Sequence, residues 1–183
     1  MFSILDYGAV GDGKTICTKN IQAAIDDCAV TGGTVYIPAG KFLSGTLHLC
    51  DNVHIYFESG VILLGSTNTR DDFEPDEERD APMYQDASHS YYNHSLFVAK
   101  TCKNITFSGF GTIDMQSAWE MDERDFGPSI IDCKRGAKTI TLVECENVVV
   151  RDLTLLNSTD LTLYLLGCEN VRVHSLNIVG HVD

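Results

Sequence analysis

From Thr34 onward the apolar residues fall in short bursts of Val, Ile, Leu and Thr, each closed by Gly, Asn or charged punctuation. That pattern predicts strands at 34–37, 46–49, 53–57, 61–64, 96–99, 105–107, 130–131, 139–142, 148–150, 153–155, 163–165, 171–173 and 176–178. Helical spacing occurs once. Ile21, Ala24, Ile25 and Cys28 share one face, Thr18 reads as the N-cap, and Thr31-Gly32-Gly33 closes the segment, so an amphipathic helix is expected over 19–30. Before it, 2–7 reads as a strand and Gly8 to Gly13 as a loop.

Many short strands fit a sandwich, a barrel or a solenoid, and an internal repeat decides among them. Cys145-Glu146-Asn147-Val148 recurs 23 residues later as Cys168-Glu169-Asn170-Val171. Earlier copies are Cys102-Lys103-Asn104-Ile105 and Cys50-Asp51-Asn52-Val53. A unit of this length cannot bury its apolar side alone, so the units stack. Stacking sets equivalent residues ~4.8 Å apart. The asparagines are then expected to form a hydrogen-bonded ladder at a turn, and the cysteines a buried, reduced row on one inner face. Stacked Cα atoms also lie within disulfide range, which leaves that pairing open. The fold class is therefore all-β, a parallel β-helix solenoid, with the one N-terminal α-helix capping its first coil. Residues 1–183 read as a single domain with loop insertions at 66–93 and 114–127. Within 71–80 of the first insertion seven of ten residues are acidic, a solvated loop rather than a calcium loop, since no D-x-D-x-D-G spacing occurs.

The 183 residues carry 26 acidic and 13 basic side chains, a net charge of −13. That balance excludes nucleic acid and anionic membrane as partners, and no apolar run is long enough to span a bilayer. The start has no basic, apolar leader, which tilts the expected location toward the cytoplasm. Seven cysteines without a C-x-x-C exclude zinc-ribbon and thioredoxin chemistry, and no metal or cofactor is expected.

Gly8-Ala9-Val10-Gly11-Asp12-Gly13-Lys14-Thr15 matches the phosphate-cradling pattern G-x-x-x-x-G-K-[ST]. Against it, the chain lacks alternating strands and helices, and the helical pattern begins too late. A nucleotide binder stays as a remote alternative.

The same stretch, with Asn20-Ile21-Gln22-Ala23-Ala24-Ile25 and Gly32-Gly33-Thr34-Val35-Tyr36-Ile37-Pro38-Ala39-Gly40, resembles the opening of pectinase-type β-helices. Asn104-Ile105-Thr106-Phe107-Ser108-Gly109-Phe110-Gly111-Thr112-Ile113-Asp114 and Asn157-Ser158 bring the chain closest to glycoside hydrolase family 28, the polygalacturonases and their relatives. One departure is Met115-Gln116-Ser117, where that family continues Gly-Gln-Gly. The resemblance implies a right-handed parallel β-helix and inverting hydrolysis of polygalacturonate or related uronic-acid polysaccharides. Inversion uses carboxylates about 6.5–9.5 Å apart. The family's Asn-x-Asp-Gly, Asp-Asp, Gly-His-Gly and Arg-x-Lys signatures are absent from these residues, and alignment puts the first of them just after Asp183. No catalytic residue is assigned, and the chain alone is expected to be inactive. By the same resemblance Asp160, Tyr164 and His181 border the substrate cleft. Trp119 is more naturally a loop anchor than a sugar platform. The sequons at Asn93, Asn104 and Asn157 read as coincidence. The alternative to the hydrolase scaffold is a non-catalytic β-helix that binds polysaccharide or serves as a structural module. The uncapped last coil, 171–178, is expected to invite end-to-end self-association.

Overall fold

A computed structural model describes residues 1–75, 93–117, 119–120 and 135–180, the residues 119–120 and 135–136 by backbone alone. Three parallel sheets run the length of the molecule. Sheet A stacks Phe2–Ser3, Gly33–Ile37, Val53–Phe57, Lys103–Gly109, Glu146–Arg151 and Glu169–His174. Sheet B stacks Asp12–Ile16, Gly40–Ser44, Val61–Gly65, Thr112–Asp114, Thr154–Leu156 and Asn177–Val179. Sheet C stacks Leu47–His48, Ser95–Lys100, Lys138–Val143 and Leu163–Leu166. Within each sheet the strands lie in chain order and every pairing is parallel, so each circuit of the chain adds one coil to a right-handed parallel β-helix.

Strand alternation sends one side chain in two to the axis. In Val53–Phe57 the residues Val53, Ile55 and Phe57 are buried, while His54 and Tyr56 face out and are half-buried. Phe97 sits between Phe57 and Phe107, edge to face with both at centroid distances of 6.4 and 5.1 Å. This aromatic column fills the middle coils. Ile21, Ala24, Ile25 and Cys28 are the buried face of the helix Thr18–Thr31, which covers the first coil as the periodicity requires.

The repeated Asn is a corner. Asn52, Asn104, Asn147 and Asn170 have φ of 58, 59, 58 and 52°, the left-handed region that Asn tolerates and β-branched residues do not. Their side chains form the expected ladder. Asn104 Nδ2 donates to Asn52 Oδ1 (2.7 Å), Asn147 to Asn104 (3.1 Å) and Asn170 to Asn147 (3.2 Å). The cysteines beside them are free thiols: Cys50 donates to the Ile25 carbonyl of the capping helix, and Cys102, Cys145 and Cys168 donate to the Leu49, Ala99 and Leu142 carbonyls of the preceding coil. Only Cys145 of this row is fully buried; Cys50, Cys102 and Cys168 are half-buried because the row runs along a corner rather than the axis. Cys133 lies outside the described residues.

Several boundaries differ from those the pattern predicts. The segment 2–7 is a two-residue strand followed by a 3-10 turn, Ile4–Tyr7. Thr18 is the first helical residue and Cys17 the N-cap; the Thr18 hydroxyl instead accepts from the Gly45 N–H (2.8 Å), tying the helix to the second coil. Asp12–Ile16 and Gly40–Ser44 are strands that apolar content does not announce. The candidate strand at 130–131 lies outside the described residues.

Outward rows are set by the same register. On sheet A, Thr34, His54, Thr106, Val149 and Arg172 form one row. Tyr36, Tyr56 and Ser108 form the next, which continues through Arg151 and His174.

Two outcomes test this description. Asn147→Ala loses left-handed tolerance and two ladder bonds, and is expected to lower unfolding free energy by about 2 kcal/mol. Asn147→Gly keeps the backbone conformation and should cost about half as much; equal losses in urea titrations would remove the backbone conformation as a contributor, and an Asn147→Gly variant as stable as the parent would remove the ladder. Burial pushes the Cys50 and Cys145 thiols up to about 11, with neighbouring thiols adding at both sites. Against an ordinary thiol this cuts the reactive thiolate roughly a hundredfold at pH 8. Native labelling of these two residues should therefore be slow and should accelerate as pH rises toward 11; fast labelling at pH 8 would contradict the burial.

Candidate functional site

The three corners of the coil are unequal. After the first coil, where 4–11 intervene, sheet A passes to sheet B, and sheet C to sheet A, through connections of two to four residues. Sheet B passes to sheet C through 45–46 once, and then through 66–94, 115–137 and 157–162. Both long connections and the shorter one therefore leave the helix at the same corner, on consecutive coils, beside the outward face of sheet C. Loops raised on a rigid scaffold are where binding groups collect.

That face carries an aligned row. His48 pairs with Val98, Val98 with Thr141, and Thr141 with Tyr164. Leu163 and Leu165 pack against the core, so alternation points Tyr164 outward, half-buried. Val98 and Thr141 are buried although they point outward. The Thr141 hydroxyl is hydrogen-bonded to that of Ser95 (2.8 Å).

At the corner itself Lys138 Nζ meets Asp160 Oδ2 at 2.9 Å, the two side chains 4% and 16% exposed. The other oxygen of Asp160 accepts from the Leu161 N–H (2.7 Å). Ser158 Oγ donates to the Asp160 carbonyl, and Thr139 Oγ1 donates to Ser158 Oγ (2.9 and 3.1 Å). Asp160 thus clamps the 157–162 connection onto the strand Lys138–Val143. The first connection is tied down on the same side: Glu74 Oε1 lies 2.7 Å from His48 Nε2, and the Glu74 carbonyl lies 2.9 Å from His94 Nδ1. Its beginning is held by the Ser66 hydroxyl on Asp72 and by the Thr46 N–H on the Asp72 carbonyl. A Cβ on Gly45 would stand 1.6 Å from that carbonyl, so only glycine admits the approach. The second connection is pinned at its base, where Trp119–Glu120 and Arg135–Gly136 pair antiparallel. Asp114, Gln116 and Asn157 add a further clamp: Asn157 Nδ2 and the Gln116 N–H both donate to Asp114 Oδ1 (2.9 and 2.8 Å).

The structure thus brings Asp160 and Tyr164 to one edge of one face. His181 lies outside the described residues, and only the backbone of Trp119 is described. Sequence reasoning missed Lys138, His48 and Glu74, whose proximity to the site is a matter of register. Among the described residues, Glu74 and Asp160 are acidic side chains bordering the face, and each is held by a partner.

The phosphate-loop reading of Gly8 to Thr15 is overturned. The N–H groups of Lys14 and Thr15 both donate to Asp12 Oδ1 (2.8 Å each), and the Thr15 hydroxyl donates to Asp12 Oδ2 (2.8 Å). Those bonds, led by the Thr15 N–H, hold the Asp12 carboxyl down at about 2. A carboxylate occupies the donors a phosphate would need, and the segment is a strand of sheet B rather than a helix entry.

Residues 1–154 match the family described as rhamnogalacturonase A/epimerase, pectate lyase-like. The chain belongs to this family. Within the pectate-lyase-like group it is similar to a Vitis vinifera protein named "Probable polygalacturonase", 29% identical over 165 residues, covering 85% of this chain and 32% of that protein. Among solved structures, the family 28 exopolygalacturonase of Yersinia enterocolitica is 28% identical, with a TM-score of 0.73 over 99% of this chain and 38% of its own. The exopolygalacturonase of Thermotoga maritima, 21% identical with a TM-score of 0.76 over 97% of this chain and 46% of its own, shares the fold. The chain thus spans about a third of the Vitis relative, and the expected resemblance to family 28 holds in both sequence and fold.

Breaking a buried ion pair from one side leaves a stranded charge, at a cost of about 3 kcal/mol. Asp160→Ala is expected to show that loss in urea unfolding. Lys138→Met combined with Asp160→Leu should recover most of it. A single variant as stable as the parent would mean that the clamp is not needed.

Proposed function

We propose that this chain is the scaffold part of a pectinase-like glycoside hydrolase, acting on polygalacturonate or a related uronic-acid polysaccharide with inversion. The outward face of sheet C at Tyr164 is the floor of its cleft, bordered by the 157–162 connection. Residues 1–183 serve as one β-helix unit with loop insertions at 66–93 and 114–127. The observation that carries this reading is the shared corner: three consecutive coils send their connections out beside one row of outward side chains. Family membership and the likeness to exopolygalacturonases support the substrate class.

Roles follow from geometry. Tyr164 offers a half-buried ring and a hydroxyl on the cleft floor, suited to stacking on a sugar and donating to it. Asp160 acts through its clamp, fixing the 157–162 connection and so the position of Tyr164. His181 borders the same edge in this reading. No residue among these is assigned as general acid or base.

Calorimetric titration with short oligogalacturonates tests the reading. The chain should bind them, release no reducing ends, and bind about five- to tenfold more weakly as Tyr164→Ala. Unchanged affinity in that variant would sink the cleft-floor assignment. Reducing-end release by residues 1–183 alone would overturn the statement that none of them is the general acid. Binding by a parent protein that never hydrolyses the polymer would instead favour a non-catalytic polysaccharide-binding module.

A further inference from the structure

The chain carries a net charge of −13, so charge alone makes it a poor host for an acidic polymer. The outward face of sheet A departs from that average. Neither of its two outward rows contains a carboxylate. The charged side chains they hold are Arg172 and Arg151, with His54 and His174 as further nitrogen donors. The nearest acids stand at the margins: Glu169 opens the strand that carries Arg172, in register with Glu146, and three others are engaged. Glu58 accepts from the Tyr36 hydroxyl (2.8 Å), Asp152 holds Arg151 (2.6 Å) and Glu146 holds Lys103 (2.8 Å).

The aromatic end of the same rows is ordered. Tyr36 and Tyr56, on adjacent coils, lie nearly parallel, with an interplanar angle of 11° and centroids 6.1 Å apart. The centroid distance is longer than a face-to-face sandwich allows, so the two rings are offset from one another. Glu58 fixes the first hydroxyl. His54 packs edge-on against Tyr56 (5.8 Å) and is anchored by Ser108 (2.7 Å). Burial, and then Arg151, push the His54 imidazole below its usual value, consistent with a neutral ring wedged beside the aromatic pair. The result is a fixed pair of half-buried phenol rings, continued along the helix axis by cationic side chains one coil apart.

We propose that this face is a second, non-catalytic binding surface for an acidic polysaccharide, lying along the helix axis on sheet A and separate from the sheet C cleft. Tyr36 and Tyr56 take sugar rings, and Arg172, with Arg151 beside it, takes uronate carboxylates. Sugar rings need flat apolar faces ringed by hydrogen-bond donors, which the tyrosine pair supplies. Each uronate needs a cation in a planar fork, which arginine supplies and lysine does not. The choice of a uronate polymer rests on the proposed function above, but the surface itself does not use any residue of that cleft.

The test is a titration of protein carrying labelled tyrosine rings, followed by NMR, which reads Tyr36 and Tyr56 separately from Tyr164. A short oligogalacturonate should move the Tyr36 and Tyr56 signals to saturation. Its fully methyl-esterified form and a neutral glucan should move them less. Arg172→Ala should weaken the response about threefold to fivefold, Tyr56→Ala about five- to tenfold, and Tyr56→Phe should retain it with the fold checked by circular dichroism. Signals of Tyr36 and Tyr56 that stay fixed while Tyr164 moves would overturn this proposal and leave the cleft standing. Movement of Tyr36 and Tyr56 with Tyr164 silent would support it and remove the cleft floor. An equal response to neutral glucan would overturn the uronate assignment.

Discussion

Everything in this molecule depends on one coil landing in register on the last. A parallel strand satisfies its backbone groups only against the coils before and after it, and a slip of one residue would turn every outward side chain into the core. The corner asparagines fix that register. Each must hold a left-handed φ, and each after Asn52 reaches back to the one below it. The dependence shows in pairs of equivalent residues. Val150 and Val173 are register partners, yet the first is fully buried and the second 43% exposed. The difference is the coil stacked above.

Register also explains what could be read in the chain. The Cys-x-Asn-Val copies were legible because a corner demands a rare backbone conformation, and few residues supply it. Their 23-residue spacing then gave the solenoid. Asp12–Ile16 and Gly40–Ser44 were not legible: with Gly, Lys and Thr in them, they owe their strand state to pairing between coils rather than to local apolar content. Lys138 and Asp160 had a signal that went unused, because the same 23-residue repeat lays residue 160 beside 137. Thr18 carried the right chemistry for a cap, but its hydroxyl serves Gly45 instead, a tertiary demand with no local trace.

The solenoid separates two tasks that compact folds mix. Its sheets give a straight, stiff surface on which side chains recur at coil spacing, which suits a polymer whose own units recur. Its corners accept insertions at little cost, since loop entropy grows slowly with length. Here one corner took the insertions and two stayed short. The short corners leave the outward rows of sheet A half-buried or exposed apart from Ser108, which His54 covers, while at the long corner Val98 and Thr141 of sheet C are buried although they point outward.

Family membership and local geometry therefore carry different parts of the functional argument. The family match ends at residue 154, before the 157–162 connection and before Tyr164. It speaks for the scaffold, the first two B-to-C insertions and the aromatic pair of sheet A. Asp160 and Tyr164 stand on geometry: a lysine that is 4% exposed must have its counter-charge, and meeting that need pins the connection whose far end delivers the tyrosine. A group that looks from sequence like a substrate ligand is thereby a structural one first. Its influence on a bound sugar passes through the position of Tyr164, two turns of strand alternation away.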